Sequence, residues 1–464
     1  MSIYLPSDIR GDAATELTPE LYRRWGCTLG RAVSAGEKFV VGGDLRASTP
    51  ELLKGLIEGL CLAGVDCIDL GQLPTPMVYY ARRRLRAAGS AIVTASHYPP
   101  QNNGLRWTIG GRGPTPAEIA QLRAGAELPP AGAADRLATA PRTVDISFDY
   151  VAWLQETFVD ASRAQQHIVL DPMHGSWSGR ARRYLHAIFP ECLISTVRDS
   201  PHSAFGGRSP DCSNPEDLHD LVEAVYRHRA HLGVAFDGDG DCLTLVDPRG
   251  AVLTPEETAW ALLAAAGTAI RGRPLVYDLS LSDRVHEAAR GLGAEPVVSA
   301  GNRPAMVARM LESGAPIGAG ADGHYYFAEL EGEDDALLVV CRVLAFLARS
   351  GKGLARIRRH WPAVFITPEL RLPAAPEVQQ EVLRRVRDSW AEFPQQTLDG
   401  LRIDLPGGWA RVRAGCPEPV LLCRFESCDW PALEHLVRQF SDALGPPGEE
   451  LWRLYSEWAG RETE

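Results

Sequence analysis

Two stretches of this chain, far apart in sequence, carry side chains that could do chemistry. Asp237, Asp239 and Asp241 alternate with Gly238 and Gly240 directly after an apolar run. Residues two apart in extended backbone share a face, so three carboxylates point one way, and the glycines let the backbone curl around an ion. Anions so close repel unless a cation sits among them. Hard oxygen ligands favour Mg²⁺, which keeps positions open for water or a phosphate oxygen. A solvated acidic turn is the plainer alternative. A calcium EF-hand loop fits poorly, because Cys242 and Pro248 stand where that loop needs Gly and Glu. The other stretch opens with Ala91-Ile92-Val93, passes through Thr94-Ala95-Ser96-His97, and continues into Pro99-Pro100 and an Asn103-Gly104 turn signal. It offers the Ser96 hydroxyl beside the His97 imidazole in a stiff loop. Capping of a following helix is the competing role for Ser96. A metal in want of a phosphate oxygen and a stiffly held serine suit one another. Mg²⁺ would screen a phosphoryl group on Ser96, and its transfer asks mainly for positioning and electrostatic stabilisation.

The elements that must position these loops repeat. Strands are expected at residues 39–44, 65–70 and 91–93, with helices at 50–63 and after Pro74-Thr75-Pro76. Residues 127–142, rich in Ala, Pro and Gly, read as a linker. The pattern returns with strands at 167–171, 193–197 and 232–236 around helices at 178–188 and 215–228. It returns again with strands at 274–279, 295–298 and 316–318 around helices at 282–291 and 303–312. The third strands run into the Ser96 loop, the Asp237 loop, and Gly320-Ala321-Asp322-Gly323-His324. Three similar α/β units imply duplication, with mixed, mostly parallel sheets and equivalent loops facing one central cleft. The tail differs. Strands at 365–371, 402–405 and 420–425, with helices at 377–390, 430–444 and 451–458, predict a smaller C-terminal α+β domain of few strands. The expected domains are residues 1–142, 143–248, 249–364 and 365–464.

Composition narrows the function. The 464 residues suit two to four domains. A net charge of -11 argues against broad nucleic-acid binding, which needs a basic face. The longest apolar run, residues 259–270, is too short to span a bilayer. The first residues carry Asp8 and Arg10 and lack the apolar core of a signal peptide. The ten cysteines form no C-x-x-C pair, which suggests neither a zinc ribbon nor a disulfide framework, so a reduced cytoplasmic location is expected.

The chain resembles the α-D-phosphohexomutases, in particular the bacterial phosphomannomutase/phosphoglucomutase branch, nearly end to end. The resemblance rests on Asp8-Ile9-Arg10-Gly11, Pro74-Thr75-Pro76, Thr94-Ala95-Ser96-His97, Asn103-Gly104 and Phe236-Asp237-Gly238-Asp239-Gly240-Asp241. It continues through Val412-Arg413-Ala414, Pro419-Val420-Leu421 and Arg424-Phe425-Glu426. It implies four domains around a cleft and a phosphoserine at Ser96, with Mg²⁺ held by Ser96, Asp237, Asp239 and Asp241. The reaction it implies moves phosphate between O6 and O1 of a hexose through a sugar bisphosphate, which also serves as activator. Arg10 and His97 would then flank the phosphoserine, and His324 would be a proton-transfer group. Asp322, Gly323, Arg303 and Arg413 would contact the substrate. A small-molecule sugar phosphate is the expected partner, with neither nucleic acid nor membrane, for a monomer or small homo-oligomer.

Several positions depart from the family pattern. Cys242 replaces an Arg, and Arg106 replaces a Lys. Arg holds its proton far more firmly than Lys, so it serves as an anion clamp rather than an acid or base. Gly320 stands where the family's sugar loop has a Glu, and Ala300 appears in place of a Lys near Arg303. The phosphate loop reads Arg413-Ala414-Gly415-Cys416-Pro417, which keeps the cation and loses hydroxyl and amide donors. The parts serving serine and metal are mostly intact, whereas those gripping the sugar and its distal phosphate have changed. This pattern suits a phosphoryl-transfer enzyme of altered specificity. The alternatives are a non-catalytic sugar-phosphate-binding paralogue and, further off, a phosphatase with an aspartate nucleophile.

Overall fold

A computed structural model describes residues 2–128, 136–415 and 419–462. The first sheet has six strands in the order Ile9–Asp12, Asn102–Ile109, Gly89–Val93, Lys38–Gly43, Asp66–Gln72 and Arg142–Thr143. Val40, Val41, Ile92 and Val93 are buried at its centre. The parallel pairing of Gly89–Val93 with Lys38–Gly43 brings the ends of both strands to the same edge. Here one expectation fails. Asn103-Gly104 is not a turn but lies within a strand, paired with Gly11 and Arg10. The Ile9 carbonyl stands where a Cβ on residue 104 would be, so glycine serves close strand approach there.

The second sheet has four strands, ordered Leu243–Val246, Leu232–Phe236, His167–Asp171 and Leu193–Thr196. The third has five, ordered Glu295–Ser299, Pro274–Asp278, Ile317–Ala319, Tyr325–Phe327 and Glu333–Asp334. Parallel pairs form their centres, with antiparallel strands at one edge. One apolar core runs through all three units, including Met77, Tyr150, Trp177, Phe236, Trp260 and Leu338. That continuity lets loops from different sheets meet at fixed distances. The expected helix at 215–228 begins as a 3-10 turn, Pro215–Leu218, before the α-helix His219–His228. The helix expected from residue 178 starts later, as Ala181–Ile188. Of the expected linker, residues 129–135 lie outside the described residues, and Arg142–Thr143 joins the first sheet.

The C-terminal part is richer in strands than expected. Phe365–Ile366 and Leu370–Pro373 are separate strands, both pairing with Val420–Ser427. Gly408–Ala414, which was not expected, lies between Leu401–Leu405 and Val420–Ser427. Its arginines hide the strand pattern, yet Arg411 is buried because other segments supply its partners. The helices Pro376–Ser389, Trp430–Leu444 and Pro447–Glu462 accompany this sheet. This part is tied to the third unit by Arg402 to Asp283 at 2.6 Å, Arg424 to Glu256 at 2.9 Å and Ser282 to Glu426 at 2.6 Å. Among the described residues no helix is long and apolar enough to cross a membrane.

Candidate active site

Ser96 follows the strand Gly89–Val93 and is 1% exposed, with a left-handed φ of 51°. That conformation is uncommon for a residue with a Cβ and persists only where the surroundings over-determine it. Here they do. The Ser96 N–H donates to Thr94 Oγ1 at 2.9 Å. Arg46, wholly buried, donates to the carbonyls of Ser96 (2.8 Å), Tyr98 (2.7 Å), Pro99 (2.6 Å) and Asn102 (3.0 Å). Its Nε donates to Asp44 Oδ2 at 2.9 Å, and Arg10 Nη1 reaches the Thr94 carbonyl at 2.5 Å. The Ser96 loop is therefore strung on one guanidinium. Neither Asp44 nor Arg46 stood out in the sequence, although Asp44-Leu45-Arg46 follows the end of a buried strand, where α/β sheets carry chemistry. Ser96 caps no helix, since the next element is a strand.

The Ser96 hydroxyl donates instead to Asp237 Oδ2 at 2.8 Å. Asp237, Asp239 and Asp241 are buried, with ligand oxygens all within 4.8 Å of one another. Gly240 makes the curl between them at φ 81°, and its N–H donates to Asp237 Oδ1 at 3.0 Å. Asp239 accepts from the Thr75 hydroxyl at 2.9 Å. Burial and the neighbouring carboxylates push Asp237 well up, while burial and Asp239 raise Asp241 to about 7. Burial would raise Asp239 too, but Arg106 and its hydrogen bonds hold it below the usual carboxylate range. Asp239 Oδ1 and Asp241 Oδ1 are buried without any hydrogen-bond partner. Buried, unsatisfied carboxylate oxygens are costly, and two of them within a cluster of three carboxylates fit a hard divalent cation.

His97, Arg106, Arg303, Asp322 and His324 line one cavity of about 200 Å³ next to this pair of loops. His97 Nδ1 lies 3.4 Å from Ser96 Oγ. Arg10 pairs with Asp8 at 2.9 Å. His324 Nδ1 lies 2.7 Å from Asp334 Oδ2. Burial would lower His324, but Asp322, Asp241 and Asp334 carry it well above the ordinary imidazole range. Asp322 opens on the cavity, and its depth in the cleft raises its carboxyl. Gly323, beside them, has φ 85° and leaves room for the Cys242 thiol. Cys242 lies 3.7 Å from the Cys212 thiol and donates to the Asp322 carbonyl at 3.2 Å.

The two arginines expected to grip substrate are engaged with carboxylates. Arg303 pairs with Glu333, approaches Asp334 at 3.5 Å, and stacks over Tyr79 at 4.3 Å. Arg413 is not among the residues lining the cavity, and it meets both oxygens of Glu369 at 3.0–3.3 Å. Cys416 and Pro417 of its loop lie outside the described residues.

Residues 5–125, 149–250 and 257–364 match, in order, α/β/α domains I, II and III of phosphoglucomutase/phosphomannomutase. The phosphomannomutase/phosphoglucomutase of Pseudomonas aeruginosa is 30% identical over 451 residues, spanning 96% of this chain and 95% of that protein. A phosphoglucomutase of Neisseria gonorrhoeae is 27% identical over 465 residues, spanning 97% and 98%. A solved phosphoglucomutase/phosphomannomutase family protein from Burkholderia thailandensis superposes with a TM-score of 0.86 at 27% identity, covering 96% of this chain and 97% of that one. With three family domains in register and relatives aligned from end to end, the chain belongs to the phosphoglucomutase/phosphomannomutase family of α-D-phosphohexomutases.

Proposed function

We propose that this protein moves phosphate between O6 and O1 of a sugar phosphate, of mannose or glucose type or altered, through a phosphoserine at Ser96 and a bisphosphate intermediate. The observation that carries this reading is the 2.8 Å contact between the Ser96 hydroxyl and Asp237, which joins serine loop and carboxylate cluster inside a buried site. The reaction class, intramolecular phosphoryl transfer by an isomerase, accords with the family.

Asp237, Asp239, Asp241 and the phosphorylated Ser96 would hold Mg²⁺. When bound, that ion neutralises charge on the phosphoryl oxygens. The protein's own groups do the rest. Arg46 fixes the loop so that the serine oxygen is presented in one orientation. Arg10 and His97 flank the phosphoryl position, and Arg106 clamps anionic oxygens without exchanging a proton. His324, held protonated beside Asp334, is the proton-transfer group for the sugar hydroxyl. Asp322, in the loop that lacks the family's Glu, accepts from sugar hydroxyls, next to Gly323 and Arg303. Arg413 takes the distal phosphate after parting from Glu369. The domains are read as 1–142, 143–248, 249–364 and 365–464, in a monomer or small homo-oligomer of the cytoplasm.

The test is a panel of hexose, aminohexose and pentose 1-phosphates, each primed with its bisphosphate. It is run on the native enzyme and on Ser96→Ala, with intact mass recorded. Turnover is expected with one of them, together with a single phosphoryl group on the native protein and neither in the variant. Normal turnover in Ser96→Ala would refute the assignment. Binding of sugar phosphate with no phosphorylation and no turnover would instead mark a non-catalytic paralogue.

A further inference from the structure

Arg106 occupies an unusual place for a phosphate clamp. It projects from the strand Asn102–Ile109 of the first sheet into the carboxylate cluster of the second. Its Nη1 lies 2.5 Å from Asp241 Oδ2 and 3.6 Å from Asp239 Oδ2, and its Nε lies 3.8 Å from Asp8. A guanidinium is never deprotonated in a protein, so this is a fixed positive charge on two of the three carboxylates that would hold a divalent cation. Two cations sharing those oxygens repel strongly where the carboxylates are buried. The tip of Arg106 is nevertheless not sealed in. Its side chain is 15% exposed and lines the cavity beside His97 and His324, within reach of an anion entering there.

We propose that Arg106 is an internal counter-ion that competes with the metal for Asp241 while the cleft holds no phosphate, and turns to phosphoryl oxygens when phosphate arrives. Metal loading is thereby coupled to the presence of the transferring group. The inference rests on the metal reading given above. An alternative role, in which Arg106 orients Asp241 for the metal, predicts the opposite sign.

The experiment uses full-length, dephosphorylated protein and Mn²⁺ as the probe, with free ion followed by electron paramagnetic resonance. Arg106→Gln, or Arg106→Met should the first variant fail to fold, is expected to bind Mn²⁺ tighter by on the order of tenfold. Added inorganic phosphate is expected to raise affinity more in the native protein than in the variant, narrowing the gap. Unchanged or weaker Mn²⁺ binding by the variant, with Asp237→Asn unable to bind the ion, would overturn the role of Arg106 alone. Wild-type binding by Asp237→Asn would overturn the metal site and this inference with it.

Discussion

The serine loop and the C-terminal unit hold their charges in opposite ways. At the serine end, Asp44 and Arg46 are both wholly buried, and the arginine is saturated by four loop carbonyls and one carboxylate. In the C-terminal unit, Arg413 and Glu369 are each 31% exposed and bond to one another. A buried, fully bonded charge pair cannot rearrange without leaving an uncompensated charge, whereas a half-exposed pair opens at little cost. The serine loop is thus preorganised without ligand. Under the proposed function, the Arg413 pair is the one that would open for an incoming phosphate.

That contrast can be broken most forcefully at Arg46. Replacing it with Met strands Asp44 and the loop carbonyls, and should cost about 3–5 kcal/mol of stability, read by denaturant unfolding. Phosphorylation of Ser96 should fall with it. A loss below about 1 kcal/mol would mean that the serine loop is held by something other than this guanidinium.

A smaller effect is expected where the second and third units join. Asp335 accepts from the Tyr150 hydroxyl at 2.8 Å and from the Leu338 N–H at 2.9 Å, capping the helix Ala336–Ser350. Burial raises its carboxyl to about 7. The folded protein therefore binds this proton more tightly than the unfolded chain does. The stability involved is present below the ordinary carboxylate range and is lost as pH rises toward and through 7. The native melting temperature should accordingly decline between about pH 4 and about pH 7 and level off above, and Asp335→Asn should flatten this decline. An identical pH profile in the variant would assign the dependence elsewhere.

The smallest effect is expected at the Arg413–Glu369 pair. Glu369→Gln should alter stability by under about 1 kcal/mol, because the pair is half exposed. It should lower KM for sugar phosphate several-fold with kcat nearly constant, since Arg413 no longer has an internal partner. A rise in KM would show that Glu369 orients Arg413 rather than occupying it.

What could be read from the sequence was what local spacing controls. The alternation of Asp237, Asp239 and Asp241 after an apolar strand forced a shared carboxylate face, and the structure brings their oxygens within 4.8 Å. The three α/β rounds were legible because buried parallel strands are continuous apolar runs. Gly408–Ala414 was not, since Trp409-Ala410-Arg411-Val412 lacks that signature, and its buried arginine is paid in partners from other segments. Asn103-Gly104 carried a turn signal that strand pairing overrode, with the glycine serving close approach instead. Arg46 does not stand out in the sequence because an arginine after a strand is ordinarily solvated, and only the folded loop supplies its carbonyls.

The sequence by itself determined the reactive inventory: one hydroxyl at the end of a strand, three carboxylates at alternate positions, and an imidazole in the third loop. Covalent spacing sets those relations before any folding. Tertiary structure decided where the long cationic side chains went. Arg106 found Asp241, 135 positions along the chain, Arg303 found Glu333, and Arg413 found Glu369. A guanidinium on a flexible stem takes whichever carboxylate the packed sheets bring within reach, and only the folded arrangement of elements distant in sequence determines which one that is.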